Sequence, residues 1–450
     1  MKFIKYIIVA LILLTSSIGT VSQVSVTIDE CRRDALDYNK SLDLSRMDED
    51  YAKAAVKAAR TAYFPKIDGS GSALYMPDFD GVAMPGFTLP TTEEAMAGHF
   101  AGTSGVDFPG YDLGMDDLQV YMAGVTAEQV VYAGGQVRRG NEMAQRGADI
   151  AREALNLTRS EVKHAVDKAF WSLYLVQQQV EVTESHVDAL TTLEDQLKTQ
   201  YHLGIIPRSE KLKVSVKRTE ADLQLVEIKN MLNITSMNLA RLTGRSLNEP
   251  LRASVSNDEV TESYEEVDFS SDFSYRSELE ILSQKKEIAR LERQSVLGEY
   301  LPQIGVNVGY RYIHVPDLTS GDWNITIGAG VSIPIFHWRE KKHRTDMARI
   351  SEKQAAIKLS DTEDQIALEV EQSRQSLDAG FDRVEVAKLN LEQAKETYSE
   401  VEISYDAGLN NITDLLNAQV GLQRASAMLV EARANLEILK SAYLKALGTL

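Results

Sequence analysis

The amino-acid sequence predicts a mostly α-helical protein with a membrane β-barrel part, built from two tandem helix–hairpin–helix repeats. Three copies would complete a 12-stranded barrel continued by a long α-helical barrel. Three observations carry this expectation. Tyr201, Gly204 and Gly244 return as Tyr405, Gly408 and Gly448, an offset of 204 residues, and Val131-Tyr132 returns as Ile335-Phe336. Segments of about ten residues alternate apolar and small or polar side chains, as membrane strands do. Apolar residues also recur at alternating four- and three-residue steps over some 60 residues, the mark of coiled-coil packing.

The chain opens with an export signal over residues 1–22. Lys2 and Lys5 precede an uncharged apolar run from Ile7 to Leu14, and Thr20-Val21-Ser22 offers small residues for cleavage. That run is too short to span a bilayer, and no later apolar run reaches the ~18 residues a spanning helix needs. An exported chain of this kind enters a membrane only with strands. Without Lys2 and Lys5 there are 46 basic against 66 acidic side chains, a net charge of −20, which excludes ordinary nucleic-acid binding. Cys31 is the only cysteine, so there is no intramolecular disulfide and no cysteine zinc site. Ile28-Asp29-Glu30 before it is also unlike a lipid-attachment signal.

The first repeat covers residues 23–244. A helix is expected over 28–63, broken by Pro65, with an extended Gly/Ser-rich segment from Ile67 to Tyr75. Met76 to Asp116 is rich in Gly, Pro and acidic residues and reads as a long outer loop. An equatorial segment, 245–271, is polar and acidic, and its pairing partner is open. The second repeat, 272–450, starts with a helix from about Phe273 to Tyr300 that breaks at Pro302. Matching Phe64-Pro65-Lys66-Ile67 to Leu301-Pro302-Gln303-Ile304 gives an offset of 237 against 204 later on, so the first hairpin carries 33 extra residues.

In the second hairpin Ile304, Val306, Val308, Tyr310 and Tyr312 alternate with Gln303, Gly305, Asn307, Gly309 and Arg311. Trp323, Ile325, Ile327, Ala329, Val331, Ile333 and Ile335 alternate with Asn324, Thr326, Gly328, Gly330 and Ser332. Period two puts the apolar set on one face and the small or polar set on the other. Tyr310, Tyr312, Trp323, Phe336 and Trp338 lie near strand ends, where a membrane aromatic girdle belongs. The alternative, a soluble sandwich, fits poorly with four strands among several hundred helical residues. Four strands cannot close a barrel, and open sheet edges are not tolerated in lipid, so a cyclic assembly of identical copies follows.

The helical stripes are Val162, Val166, Ala169, Leu173, Val176 and Val180, continued by Val187, Leu190, Leu193 and Leu197. In the second repeat they are Ile366, Val370, Ser373, Leu377, Phe381, Val384, Ala387, Leu391, Ala394, Tyr398 and Val401. Gly140 to Tyr201 as one helix is roughly 90 Å long at ~1.5 Å per residue. Both rods stop at a Tyr-x-x-Gly turn, Tyr201 to Gly204 and Tyr405 to Gly408, where glycine supplies a left-handed cap. Helices follow over about Ser209–Leu242 and Ile412–Leu447. No catalytic constellation is found. His337 and His343 lack metal spacing, Gly69-Ser70-Gly71-Ser72 is a weak phosphate cradle, and Met76, Met84 and Met96 lack a regular thioether pattern. No enzyme, metal or cofactor is expected.

At this point the sequence resembles the TolC-like outer-membrane efflux and secretion channels. The resemblance spans nearly the whole mature chain. It rests on the tandem repeat, on Pro65, Pro302 and Pro334 at helix–strand joints, and on the Val-Tyr-Ala-Gly-Gly run at 131–135. Its most specific part is Tyr405-Asp406-Ala407-Gly408-Leu409 followed by Ile412-Thr413-Asp414-Leu415-Leu416-Asn417-Ala418. The resemblance implies a homotrimeric exit duct in the outer membrane, with its helical barrel in the periplasm. It would conduct passively from a periplasmic adaptor and inner-membrane pump, in a tripartite efflux or type I secretion system. Tyr405 and Asp414 match the family's gate tyrosine and first ring aspartate, and Glu210 stands where a partner acid is expected, giving a Tyr405–Glu210 latch. Asn417 replaces a second ring aspartate, Asn410 replaces a gate arginine, and Val130 replaces the proline kept at Pro334. Opening would unwind residues 363–447 from their neighbours. The rival readings are a periplasmic coiled-coil adaptor, which would need a swollen β-domain, and a non-channel coiled-coil scaffold, which the Tyr- and Trp-bearing strands oppose.

Overall fold

The computed structural model describes residues 24–77, 82–84, 87–90, 105–109, 111–113, 117–255, 273–316 and 321–450. The expected export signal lies outside them. The chain divides into two compact units that cut across both repeats. One holds residues up to Ala54, Gln145–Ala289 and Ser351–Leu450, and the other Ala55–Ala144 and Arg290–Ile350.

In chain order the elements are β1 (Val24–Val26), α1 (Ile28–Tyr38), α2 (Lys40–Arg60), β2 (Lys66–Pro77), β3 (Val82–Met84), β4 (Phe87–Pro90), β5 (Gly105–Phe108), β6 (Tyr111–Leu113) and β7 (Asp117–Ala133). The two long helices of the first repeat follow, α3 (Gln136–His202) and α4 (Arg208–Thr243), then β8 (Leu251–Ala253). The second repeat holds α5 (Ser277–Gly298), β9 (Gln303–His314), β10 (Asp322–Ser332), α6 (Glu340–Asp406) and α7 (Ile412–Leu447). The duplication is kept to the residue in the long helices: α3 and α6 have 67 residues each, α4 and α7 have 36, and each pair starts and ends 204 apart.

The helical unit is held by the apolar stripes. Val162, Val166, Ala169, Leu173, Val176, Val180, Leu190 and Leu197 are buried, as are Ile366, Val370, Leu377, Val384 and Ala387. Val26, Cys31, Leu42, Leu155, Phe170, Leu239 and Leu251 join Val162, Val166, Ala169 and Leu173 of the first stripe in one cluster, and Leu429, Leu436 and Tyr443 join the second stripe. Left-handed glycines end α4 and α7, Gly244 at φ 73° and Gly448 at φ 79°. Gly204 (φ 74°) and Gly408 (φ 75°) shape the two tip turns.

Two expectations in this unit need correction. The single helix over 28–63 is two helices, because Asn39 takes an extended backbone (ψ 122°) and accepts a hydrogen bond from the Ser41 amide at 2.9 Å. The Asn39 side-chain amide donates to the Leu242 carbonyl at 3.3 Å, closing the end of α4. Arg276, 237 residues on, does the same for α7, donating to the Ala446 carbonyl at 2.8 Å. The second-repeat helix therefore begins at Ser277 rather than near Phe273, as the counterpart of α2. The open pairing of the equatorial segment is answered in part: β8 lies parallel to β1, Val24 opposite Leu251 and Val26 opposite Ala253.

The second unit is a four-stranded antiparallel sheet in the order β10-β9-β7-β2. Ile67 faces Ala127 in the first hairpin and Ile304 faces Val331 in the second, so offsets of 237 and 204 reproduce the hairpin register in both repeats. The 33 extra residues lie beyond Pro77 and before Asp117. The described parts of this expected loop are paired strands, β3 with β6 and β4 with β5. Val82-Ala83-Met84 and Phe87-Thr88-Leu89 suit a strand better than the surrounding Gly and Pro suggest.

Candidate functional site

The sheet presents two chemically distinct faces. Alternation and register together place Ile67, Ala73 and Tyr75 of β2 on one face. Tyr121, Val125 and Ala127 of β7, Val308, Tyr310 and Tyr312 of β9, and Trp323, Ile325 and Ile327 of β10 share it. The opposite face carries Asp68, Ser70 and Ser72, then Thr126 and Glu128, then Asn307 and Arg311, then Asn324 and Thr326. The apolar face is uncovered: Ile327 is 80% exposed and Ile325 70%. A soluble sheet hides such a face, because each buried aliphatic side chain is worth about 1.5–3 kcal/mol. A strand of 12 residues is about 40 Å long, and tilted by ~40° it crosses about 30 Å, a hydrocarbon core. Aromatic residues mark both ends. Trp323 stacks on Tyr310 with ring centroids 4.7 Å apart, and Phe336 meets Trp338 edge-on at 5.0 Å.

The sheet's exits into α3 and α6 are built on the same backbone from different residues. Gly134 and Gly135 adopt φ 59° and 81°, and their equivalents Trp338 and Arg339 adopt 45° and 68°. At Gly134 glycine is required, since a Cβ would lie 2.0 Å from the Gly298 carbonyl oxygen. Trp338 stands in the open at 86% exposure. Val130, in place of a proline, lets β7 pair on to Ala133 through a one-residue bulge between Val130 and Tyr132, whereas β10 ends at Ser332 before Pro334. Two residues therefore separate the strand from the helix at the first exit and seven at the second, although both helices start at equivalent positions.

In the helical unit the tips of both repeats pack together. Leu190, Leu197, Val214, Ile412, Leu415 and Leu416 form their core, with Tyr398, Val401 and Tyr405 half-buried against it. Lys213 Nζ donates to Thr413 Oγ1 at 3.2 Å across the repeats. Burial pushes the Tyr405 phenol pKa up, and the Glu210 carboxylate and then Asp406 push it further. The two partners of the expected latch are thus close enough to feel each other, but no hydrogen bond joins them in one copy. Tyr201 lies on the first tip, its ring under Lys211 Nζ at 5.9 Å.

Asp414 is exposed and also caps α7. The Asn411 side chain accepts from the Thr413 and Asp414 amides at 2.8 and 3.1 Å, while Asp414 Oδ2 accepts from the Asn411 amide at 3.3 Å. This capping box holds the carboxylate at the helix N-terminus, where the dipole favours negative charge. Asn417, one turn on, is exposed, and the Asn410 amide donates to the Ser404 carbonyl at 3.3 Å within the turn.

One polar cluster was missed by sequence reasoning. Asp167 is fully buried and accepts from Arg32 Nε at 2.7 Å, Arg32 Nη2 at 2.9 Å and Ser441 Oγ at 2.7 Å. Because the Ser441 proton is committed to Asp167, its oxygen must accept from His164 Nδ1, 3.0 Å away, which fixes the imidazole tautomer. The cluster fastens α1, α3 and α7 together.

The sequence model of the outer membrane efflux protein family matches residues 32–245 and 284–449. Among solved structures, the chain is similar to the Campylobacter jejuni CmeC outer membrane channel, at 15% identity and a TM-score of 0.76 over 94% of this chain and 85% of that one. It is similar to the outer membrane protein VceC of Vibrio cholerae at 14% identity and 0.73, over 94% and 96%. The open state of the Neisseria gonorrhoeae MtrE outer membrane channel gives 14% and 0.72, over 94% and 88%. A search of curated proteins finds no sequence match.

Proposed function

The chain belongs to the outer membrane efflux protein family, and from that premise we propose that three copies close one channel, gated at the helical tips and fed by a periplasmic adaptor and an inner-membrane pump. It is an outer-membrane efflux duct, not a member of an enzyme family. The observation that carries the fuller reading is the four-stranded sheet with an exposed apolar face and an unpaired strand at each edge. In lipid those edges need partners, and three copies supply the 12 strands of a closed barrel.

Conduction is passive. Each copy adds the polar face of Asp68, Glu128, Asn307 and Arg311 to the lumen. At the inner mouth Asp414 forms a ring of three carboxylates, with Asn417 beside it as a neutral second ring. Tyr405 and Glu210 latch the closed state between tips, and Asn410 lies in the tip turn beside them. The adaptor shifts the gate by binding the open arrangement of α6 and α7 more tightly than the closed one. The duct serves tripartite efflux or type I secretion.

Reconstitution of the purified full chain in a planar bilayer tests this. Discrete, cation-selective conductance steps are expected. Asp414→Asn should lower cation selectivity and relieve divalent block, and Tyr405→Phe with Glu210→Ala should raise closed-state conductance. Selectivity and block unchanged by Asp414→Asn would sink the ring, and unchanged closed-state conductance in the double variant would sink the latch.

A further inference from the structure

We infer that the unpaired edge of β10 pairs with β2 of a second copy in one register, centred on Ala329 opposite Ala73. This rests on the oligomeric-channel reading above and adds its geometry. The template is inside the chain. The contact between repeats is the β7–β9 ladder, which sets Ala123 opposite Tyr312, Val125 opposite Tyr310 and Ala127 opposite Val308. β10 is the second-repeat copy of β7, displaced by 204, and β2 is the first-repeat copy of β9, displaced by 237. Both offsets are validated by the hairpins, whose registers they reproduce. Moving β7–β9 through them sets Ile327 opposite Tyr75, Ala329 opposite Ala73 and Val331 opposite Gly71.

Two checks agree. All strands of the sheet alternate in direction, so β10 meets a following β2 antiparallel, as β7 meets β9. The transposed pairs also keep Ile327 and Tyr75 on the apolar face, whereas a one-residue slip would turn one strand's apolar set into the lumen. The helical unit gives separate support. The same displacement of 204 carries the His164–Ser441 contact to Leu368 and Met237, two apolar side chains that a single copy leaves exposed.

The test is cysteine cross-linking of the full chain in outer-membrane vesicles with copper–phenanthroline. Cys31 is the only native cysteine and is buried, so background is low. Ala329→Cys is combined in turn with Gly71→Cys, Ala73→Cys and Tyr75→Cys. A disulfide needs Cα atoms about 4.4–6.8 Å apart, and the diagonal neighbours lie at about 7–8 Å. The 73/329 pair should give covalent dimers and trimers several-fold more efficiently than either neighbour. Ser70→Cys with Ser332→Cys, the corresponding pair on the lumen face, guards against a variant that fails to fold. The mass of the unmodified chain in detergent separates the two levels. A monomer overturns the oligomeric reading itself. A trimer in which 71/329 or 75/329 cross-links best, or in which no pair does, overturns only the register.

Discussion

Asp167→Asn tests the buried fastening of α1, α3 and α7. The substitution keeps the shape but removes the charge that Arg32 and Ser441 share, and it turns one acceptor oxygen into a donor. Breaking a buried ion pair from one side costs about 3–5 kcal/mol. The Arg32 side chain retains 32% exposure and a contact with Asp29 at 3.4 Å, so it recovers some hydration, placing the cost near ~3 kcal/mol. At ~2.1 cal/mol/K per residue a chain of 450 residues shifts by about 1 °C per kcal/mol, so this is a melting shift of about 3 °C. Trp171, buried one turn along α3, reports locally by fluorescence once Trp323 and Trp338 are replaced by Phe. Asp29→Asn removes only a surface pair and should cost less than ~1 kcal/mol. The same assay has a pH signature. Burial, then Lys445, holds the His164 pKa below the usual imidazole value, so the fold favours the neutral ring. That stability is complete above about pH 6.5 and is lost as pH falls toward the lowered folded value. An Asp167→Asn protein melting with the Asp29→Asn control would refute the reasoning.

Further outcomes follow from equivalent positions and from the caps. Gly134→Ala puts a Cβ against the Gly298 carbonyl and should lower the melting temperature of the chain in detergent, whereas Trp338→Gly, at the equivalent position in open space, should relieve about 1–2 kcal/mol of left-handed strain within one copy. Asn411→Ala removes the α7 cap at a cost of about 1 kcal/mol without changing charge; hydrogen exchange in the first turn of α7 should quicken while ion selectivity stays unchanged, separating the capping duty of Asp414 from its proposed pore duty. Burial pushes the Cys31 thiol up to about 12, so at pH 8 its alkylation by iodoacetamide should be about a thousandfold slower than for a thiol at the reference value, and unfolding should restore it.

Much of this architecture was legible because it repeats. Matching Tyr201 with Tyr405 and Ile67 with Ile304 sets helix ends and hairpin registers that the structure keeps. The apolar stripes were legible because coiled-coil spacing survives averaging over many turns. The break at Asn39 was not, since one asparagine in a polar helix is an ordinary sight until its partner, the Leu242 carbonyl, is known. Asp167 was hidden for the same reason, its partners lying 135 and 274 residues away in sequence. The only signal was an acid next to Val166, at the margin of an apolar stripe. At the tip, resemblance singles out Tyr405 and Asp414 as candidates, whereas the capping role of Asn411 needed the backbone.

The two repeats diverge at the sheet-to-helix joint, where one positive-φ backbone carries Gly134-Gly135 in the first and Trp338-Arg339 in the second. Gly134 lies against Gly298 in the same chain, so the repeats are held at backbone contact whatever the assembly state. The equivalents, displaced by 204 and 237, are Trp338 and Thr61, which the proposed assembly would bring together across two copies. In that assembly a tryptophan would forbid backbone contact but offer a large apolar surface, together with Phe336, to the neighbouring copy. Its left-handed backbone is the cost of reusing a glycine turn for that purpose. Two chemically equal copies would give a sixfold ring of equivalent joints. In the proposed assembly the Gly-to-Trp change would divide the joints into two kinds, one close and fixed, the other wider and aromatic, and would leave threefold symmetry as the highest the collar can have.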